Sequence, residues 1–227
     1  MNFQANDVKN KNYVLNNKGW IALIDHMGDE SSIIRSARIT FGGLFKQQDG
    51  SSNDEQLLKF LIKHDHMSPF EHVILTFLVY CPMFIKNQWM RHRTWSYSEI
   101  SRRNTNVNID FYNIDDEQIR FIGEDKDKKD ENVKTELAKI IRDFNSKSLE
   151  QYNYLIDQGI PMEQARGVLS QNMMVTFFGT VNMRNLINFI KLRDHYSAQQ
   201  EIREYAVTIK KIIKPMFPIL SKYFWDL

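Results

Sequence analysis

Two short, almost wholly apolar segments constrain the fold of this chain more than any other feature. Glu71–Tyr80 and Val175–Val181 are too apolar for half-exposed strands and too short to cross a membrane as helices. We therefore predict two buried strands, the first of them central and ending at Cys81-Pro82. No Gly-x-Gly-x-x-Gly turn and no regular βαβ alternation accompany them. A doubly wound dinucleotide-binding fold is therefore not expected.

Helical periodicity dominates much of the remaining sequence. A capping box that begins at Ser52 opens a helix leading into His64-Asp65-His66. Apolar residues at three- and four-residue spacing predict further helices over Lys134–Asp157, Asn182–Asp194 and Ser197–Ile213. The expected architecture is α+β, with a mixed or antiparallel sheet and several long helices in a single domain over 1–227.

Composition limits the cellular compartment and the classes of binding partner that we expect. Of 227 residues, 42% are hydrophobic, which suffices for one core, and the net charge of +2 gives no general attraction to nucleic acid or membranes. The lone cysteine, Cys81, excludes an intrachain disulfide and, without an adjacent base, favours packing over nucleophilic chemistry. We expect a cytoplasmic protein that is neither secreted nor membrane-inserted. The charged run Gly123–Asp130 is expected to be solvated and without chemistry.

The segment Arg91–Arg103 concentrates polar chemistry. It contains four arginines, one histidine, one glutamate and three serines. Arginine carries a planar fork that binds phosphates and planar heterocycles through paired hydrogen bonds, so the segment predicts an anion site. If it is helical, one face carries four functional side chains: His92, Ser96, Glu99 and Arg103.

Two alternatives stay open for this segment. It could be a surface helix stabilised by a Glu99–Arg103 ion pair. Its large rings, Trp95 and Tyr97, fit a pocket that stacks a heterocycle as well as an ordinary core.

The stretch His64–His72 carries three histidines and two acids, which suggests a metal site at first sight. The spacing of His64, His66 and His72 is specific for no metal, because zinc sites favour helical or short-loop pairs with a further ligand. An ordered loop with histidines beside an anion is the preferred interpretation. A metal-dependent phosphohydrolase using these three histidines remains the alternative.

Arg193 occupies an unusual position in the helix predicted over Asn182–Asp194. It falls on the apolar stripe formed by Met183, Leu186 and Ile190. It either extends to water or faces a ligand in a desolvated pocket, where it could stabilise developing negative charge. Nearby amides able to read polar heterocycle edges are Asn182, Asn185 and Asn188.

Arg91-His92-Arg93, followed by seven residues and Ser101, resembles the defining motif of the flavin-dependent thymidylate synthases. The resemblance covers most of the chain from about Arg35 to Ala206. The other matching segments are His66–His72, Gln88-Trp89, Ala165-Arg166-x-Val168-Leu169, Thr180-Val181-Asn182, Arg184, Asn188 and Leu192-Arg193.

The resemblance implies a reaction and its cofactors. A one-carbon unit passes from 5,10-methylenetetrahydrofolate to deoxyuridylate (dUMP), with FAD carrying the hydride and NADPH as the reductant. It also implies a homotetramer with shared sites. Arg193 would be the catalytic residue, favouring ionisation of the uracil ring, and Glu99 would lie between nucleotide and flavin.

Binding residues follow from the same resemblance, and no metal is implied. The dUMP residues would be Gln88, Trp89, Met90, Arg91, Glu99, Ile100, Ser101, Arg102, Arg103, Arg166 and Arg193. The FAD residues would be His66, Ser68, Arg91, His92, Arg93, Glu99, Asn182, Met183, Arg184 and Asn188.

This chain departs from the family pattern at a few positions, none of which carries an assigned charge. They are Met67, Ser170, Met183, Asn185 and Ser197. A binding module that grips RNA through Arg91–Arg103 is the rival from another functional class. The near-neutral net charge argues against it, because nucleic-acid domains present a wider basic face.

Overall fold

The computed structural model describes residues 8–39, 52–105, 109–122 and 130–224. Most of the charged run Gly123–Asp130 lies outside these ranges. None of the described helices is long and apolar enough to span a membrane. The elements, in chain order, are β1 (Asn12–Val14), β2 (Gly19–Met27), α1 (Glu30–Ile39), α2 (Ser52–Lys63), β3 (Ile74–Pro82), α3 (Met83–Trp89), β4 (Ser96–Glu99), α4 (Glu131–Asp157), α5 (Met162–Ala165), β5 (Met174–Asn182), α6 (Met183–Arg193), α7 (Gln200–Ile213) and α8 (Pro218–Phe224).

Within the described ranges, five strands form one sheet in the order β1-β2-β3-β5-β4. The fold is thus the predicted mixture of helices and sheet, and β3 is the central strand. β3 ends at Pro82 as expected, but begins only at Ile74, because Ser68–His72 forms a 3-10 helix. At the sheet edge β1 pairs antiparallel with β2, with Tyr13 opposite Trp20.

The four predicted helices are confirmed, with small shifts at their ends. α2 begins at Ser52, and α4 begins at Glu131, where Asp130 accepts a hydrogen bond from the Asn132 amide. α4 ends at Asp157, and Gly159 then adopts a φ of 84°, a conformation that favours glycine. α6 and α7 are one to three residues shorter at their ends than the predicted ranges.

By internal contacts, the described chain falls into two compact units. The first unit consists of the chain up to Val79, of Gln88–Ser98 and of the part from Phe177 onward. The second unit consists of Tyr80–Asn87 and Glu99–Thr176. The expectation of a single domain over 1–227 stays a prediction.

An aromatic cluster around Trp89 forms the core of the first unit. The Trp89 ring lies 4.7 Å from Phe189 and makes edge contacts with Phe177 and Tyr205 at 5.5 and 5.8 Å, centroid to centroid. All four side chains are at most 1% exposed. The cluster fixes the end of α3 against β5, α6 and α7.

A polar network organises the second unit around the buried Asn145 of α4. Its Oδ1 accepts hydrogen bonds from Ser170 Oγ at 2.7 Å and Asn172 Nδ2 at 3.2 Å. The Ser170 backbone N–H donates to Ser148 Oγ at 3.0 Å. These bonds anchor the segment after Arg166 to α4.

Candidate functional site

The segment Arg91–Arg103 is not a helix, so the expectation of four side chains on one helical face is wrong. It forms a turn around His92 and then the strand β4, Ser96–Glu99. In a strand, residues three apart point to opposite faces, so Ser96 and Glu99 separate. The proposed Glu99–Arg103 ion pair is also absent from the described contacts, because each residue pairs elsewhere.

Trp95 belongs to the core. It is 5% exposed, and its ring meets Trp89 edge-on at 5.6 Å and lies 5.2 Å from Phe189. Tyr97 is parallel to it at 6.3 Å, and the Tyr97 hydroxyl donates to the carbonyls of Trp89 and His92. These two rings therefore hold the turn in place, and the buried Trp95 offers no stacking surface for a heterocycle.

In the first unit, that turn receives the side chain of Arg193 from the last residue of α6. Arg193 Nε donates to His92 Nε2 at 2.9 Å, and its Nη2 donates to the Gln88 carbonyl at 3.2 Å. Burial lowers the pKa of Arg193 from its ordinary value. Arg193 is therefore held at the edge of the core by directed hydrogen bonds, which the sequence pattern left open.

His92 is buried, and its ring lies 4.8 Å from Phe189. Burial, and then the nearby charge of Arg193, lower the pKa of His92 to about 4. The imidazole is therefore neutral at physiological pH, which its role as acceptor for Arg193 also requires.

Gln88 contributes in two ways. Its carbonyl accepts from Arg193, and its side-chain amide donates to Gln199, the residue before α7. Gln88, His92 and Arg193 are thus three predicted site residues that the fold brings together. The neighbouring Trp89 side chain is fully buried, so only its backbone can meet a ligand.

A second feature of the first unit is a cavity of about 270 Å³ at α6. Two predicted FAD residues, Arg184 and Asn188, line it. Arg184 also pairs with Glu71 at 2.5 Å, and both side chains are about half exposed. The lining residues are Asp65, Met67, Arg184, Asn185, Ile187, Asn188 and Lys191.

Two further predicted FAD residues shape the start of α6. The Asn182 side chain caps the helix by accepting from the Asn185 amide at 2.9 Å. Met183 is fully buried, and its backbone N–H donates to the Val73 carbonyl at 2.8 Å. They position the helix that carries Arg184, Asn188 and Arg193.

The histidines after α2 are exposed. The ring of Phe60 lies 4.4 Å from His64 and 5.7 Å from His66. Within the described ranges, no group of three or more His, Cys, Asp or Glu is arranged to hold a metal ion. Ser68 opens the 3-10 helix beside them and is likewise exposed.

The second unit contains a larger cavity, of about 620 Å³. Five predicted nucleotide residues meet there, together with side chains that the sequence did not single out. The lining residues are Met83, Lys86, Asn87, Glu99, Ile100, Ser101, Arg102, Arg166, Gly167, Leu169, Ser170, Gln171 and Met173.

An ion pair lies in the wall of this larger cavity. Lys86 Nζ is 2.9 Å from Glu99 Oε2, with the side chains 12% and 26% exposed. Lys86 is the one charged residue of the otherwise apolar or amide segment Met83–Trp89. That isolated charge was the available signal, because a lone lysine in an apolar segment needs a partner or a ligand.

The arginines of the second unit differ in their environment. Arg102 donates to the Met174 carbonyl at 3.4 Å, and burial lowers its pKa. Arg166 begins a 3-10 helix directly after α5 and lines the cavity. Arg103 is outside the lining and pairs with Glu163 at 2.9 Å, both side chains being largely exposed.

Cys81, at the end of β3, plays a structural part. The side chain is fully buried, and burial raises the pKa of its thiol well above the ordinary value. A thiol held neutral in this way is a poor nucleophile. The packing role expected from the sequence fits this environment.

Residues 22–219 match the family described as thymidylate synthase complementing protein. The flavin-dependent thymidylate synthase of Thermosipho africanus is 37% identical over 210 residues, 91% of this chain and 90% of that protein. This chain belongs to the flavin-dependent thymidylate synthase family. The flavin-dependent thymidylate synthase of Pseudothermotoga lettingae is 38% identical over 201 residues, 88% of this chain and 87% of that protein.

The fold of this flavin-dependent thymidylate synthase family member also has a solved counterpart. A crystal structure of PolB from Streptomyces cacaoi, a UMP/dUMP methylase bound with 5-Br dUMP, superimposes with a TM-score of 0.83. It is 28% identical, and the alignment covers 91% of this chain and 94% of that chain.

Proposed function

We propose that this enzyme methylates dUMP to thymidylate, with 5,10-methylenetetrahydrofolate as carbon donor, FAD as hydride carrier and NADPH as reductant. The observation that carries the proposal is the arrangement of Arg193. Its guanidinium is hydrogen-bonded only to neutral groups in the contacts described, and so retains its charge for a ligand. The relatives, a flavin-dependent thymidylate synthase and a UMP/dUMP methylase, support the same reaction.

The larger cavity is proposed to bind the nucleotide. Its wall carries the cations Lys86, Arg102 and Arg166 against the single acid Glu99, a balance that suits a phosphate monoester. Ser101 and Ser170 add hydroxyl groups. The proposed nucleotide residues are Gln88, Trp89, Met90, Arg91, Glu99, Ile100, Ser101, Arg102, Arg103, Arg166 and Arg193.

The smaller cavity fits part of the flavin cofactor. Two cations, Arg184 and Lys191, and the amides of Asn185 and Asn188 suit the diphosphate and polar ring edges of a dinucleotide. When bound, FAD supplies the hydride that converts the transferred carbon into a methyl group. The residues proposed to hold it are His66, Ser68, Arg91, His92, Arg93, Glu99, Asn182, Met183, Arg184 and Asn188.

Arg193 is proposed as the catalytic residue. A uracil ring must gain negative charge before its carbon attacks an electrophile, and a guanidinium in a water-poor site stabilises that charge. Arg193 is half-buried and keeps its Nη1 edge opposite the bonds to His92 and Gln88. No cysteine nucleophile is required by this route, which accords with the buried Cys81.

We also infer a cytoplasmic homotetramer. Exposed apolar side chains on one stripe of α4 support association, since such patches mark interaction surfaces. Ile140 and Phe144 are 57% and 60% exposed, and Leu137 adds to the same stripe. Light scattering behind a sizing column tests this, and a monomer at micromolar concentration contradicts it.

Tritium release from 5-labelled dUMP tests the reaction. Release should require FAD, NADPH and methylenetetrahydrofolate together, and the purified protein should show a flavin absorption band or acquire one with added FAD. Activity should be insensitive to chelators. A protein that cannot be reconstituted with FAD, or that hydrolyses phosphate esters in a chelator-sensitive way, overturns the proposal in favour of the phosphohydrolase.

A further inference from the structure

The hydrogen bond between Arg193 and His92 fixes the protonation of the imidazole. Arginine Nε carries a hydrogen at all accessible pH values and can only donate. Because Nε lies 2.9 Å from His92 Nε2, that nitrogen must present its lone pair. The proton of the neutral ring is therefore on Nδ1.

The groups packed around His92 agree with a neutral ring. Phe189 and Arg193 are four residues apart on α6 and so share a face, from which one contacts the ring and the other donates to it. Among the described contacts, Arg193 is the charged group of α6 that meets the ring. Among the described residues, no carboxylate hydrogen-bonds to this imidazole, and the acid next to Arg193, Asp194, pairs with Arg203 and Lys210.

The second acceptor for Arg193 comes from the same turn. The Gln88 carbonyl lies near the C-terminal end of α3, where unpaired carbonyls favour cations. Two neutral acceptors on one turn, at Nε and Nη2, define the plane of the guanidinium and leave its Nη1 edge outward. Neither acceptor cancels the positive charge.

We propose that His92 is a positioning residue, whose neutral Nδ1-protonated form holds Arg193 in the orientation needed to stabilise the uracil anion. The catalytic consequence rests on the proposed function, whereas the hydrogen bond and tautomer do not. His92 thus acts through Arg193, in addition to any contact that it makes with flavin.

The tautomer is tested by nitrogen NMR on the full-length protein labelled with ¹⁵N-histidine. The His92 signals are assigned by their loss in His92→Gln, with His26→Gln, an exposed histidine, as the control. At neutral pH, Nε2 should have the shift of an unprotonated acceptor and Nδ1 that of a protonated nitrogen. In Arg193→Met the Nε2 signal should move toward that of a free imidazole. A protonated Nε2, or a spectrum unchanged by Arg193→Met, overturns the proposal.

The kinetic test compares His92→Gln, which keeps a neutral acceptor, with His92→Leu, which does not. The leucine variant should lose kcat by roughly 10- to 100-fold, as expected for a lost hydrogen bond to a charged group, and glutamine should restore most of it. Both variants are assayed at saturating FAD and dUMP, so that the flavin contact proposed for His92 does not enter kcat. A leucine variant with normal kcat under these conditions, or a glutamine variant no faster than the leucine variant, contradicts the positioning role. Wild-type protein with the expected NMR spectrum but no tritium release would refute the proposed function alone.

Discussion

Arg193 in the first unit and Lys86 in the second have partners of opposite kinds. In the first unit, Arg193 is held by an imidazole and a backbone carbonyl, both neutral. In the second unit, Lys86 is held by the carboxylate of Glu99, in a pair that is mostly buried. The first arrangement keeps a full positive charge available, whereas the second cancels it until a ligand competes.

This difference corresponds to two tasks, activation of the substrate for reaction and recognition of its phosphate. A cation that must stabilise charge during a reaction works best when its partners contribute no opposing charge, because Coulomb energy grows as water is excluded. A cation that helps to bind a phosphate can form an ion pair with a carboxylate in the empty cavity. The pair avoids leaving an isolated charge buried there before the phosphate binds.

The largest effect is expected from Arg193→Ala. Turnover should fall by roughly 10²- to 10³-fold, or about 3 to 4 kcal/mol of transition-state stabilisation, while FAD is retained. Arg193→Lys keeps the charge but loses the planar fork, and should recover only part of the rate. Single-turnover formation of thymidylate and flavin absorbance measure the two properties. Near-normal turnover in the alanine variant would show that activation lies elsewhere.

The next effect concerns His92 and the dependence of stability on pH. Its pKa is about 4 in the folded protein, against an ordinary value of 6.5. Between these values the unfolded chain binds the proton and the folded chain does not, so the contribution to stability is complete above pH 6.5 and is lost as the pH falls to about 4. We expect a loss on the order of 2 to 3 kcal/mol over this window.

Urea unfolding of the wild type and of His92→Gln at both ends of that pH window measures the effect. The glutamine variant cannot take up the proton, so its free energy of unfolding should fall less steeply with acid. Parallel pH profiles would mean that His92 titrates normally and is not held neutral by Arg193 and burial.

Much of the fold could be predicted because long helices and buried strands leave periodic patterns. α4, α6 and α7 carry apolar residues at three- and four-residue spacing over eleven residues or more. β1, α3 and β4 are too short to produce such a pattern, and tertiary packing decides them. The helix expected over Arg91–Arg103 is wrong for the same reason. The spacing of its polar residues is compatible with a helix, but the segment forms a turn followed by a four-residue strand.

The candidate site was predictable in its residue types but not in its pairings. Arg193 stood out because a charge on an apolar stripe needs a partner. Its actual partners, His92 and the Gln88 carbonyl, are about a hundred residues away, and a backbone carbonyl leaves no trace in the sequence. Lys86 was missed for a similar reason, because its pairing with Glu99 depends on the path of the chain after α3.

A smaller effect is expected from Lys86→Met. Loss of the ammonium leaves Glu99 in the cavity wall without its partner, which should lower the free energy of unfolding by roughly 1 to 3 kcal/mol and raise the KM for dUMP. Lys86→Arg should preserve both properties. Lys134→Met is the matched control, because its partner Glu131 is 71% exposed, so that loss of this pair should cost less than about 0.5 kcal/mol. Equal losses in the two methionine variants would remove the distinction between a buried and a surface pair.

The smallest effect separates two arginines that the resemblance treats alike. Arg166 lines the larger cavity, whereas Arg103 is outside its lining and pairs with Glu163 on the surface. Both alanine variants should weaken dUMP binding more than FAD binding. Arg166→Ala should weaken it by about 1 to 2 kcal/mol, as for a lost charge-assisted hydrogen bond, and Arg103→Ala by less than about 1 kcal/mol. Calorimetric titration of the FAD-loaded protein with dUMP gives both values. If Arg103→Ala causes the greater loss, Arg103 must leave Glu163 for the phosphate on binding, and Glu163→Gln should then tighten nucleotide binding.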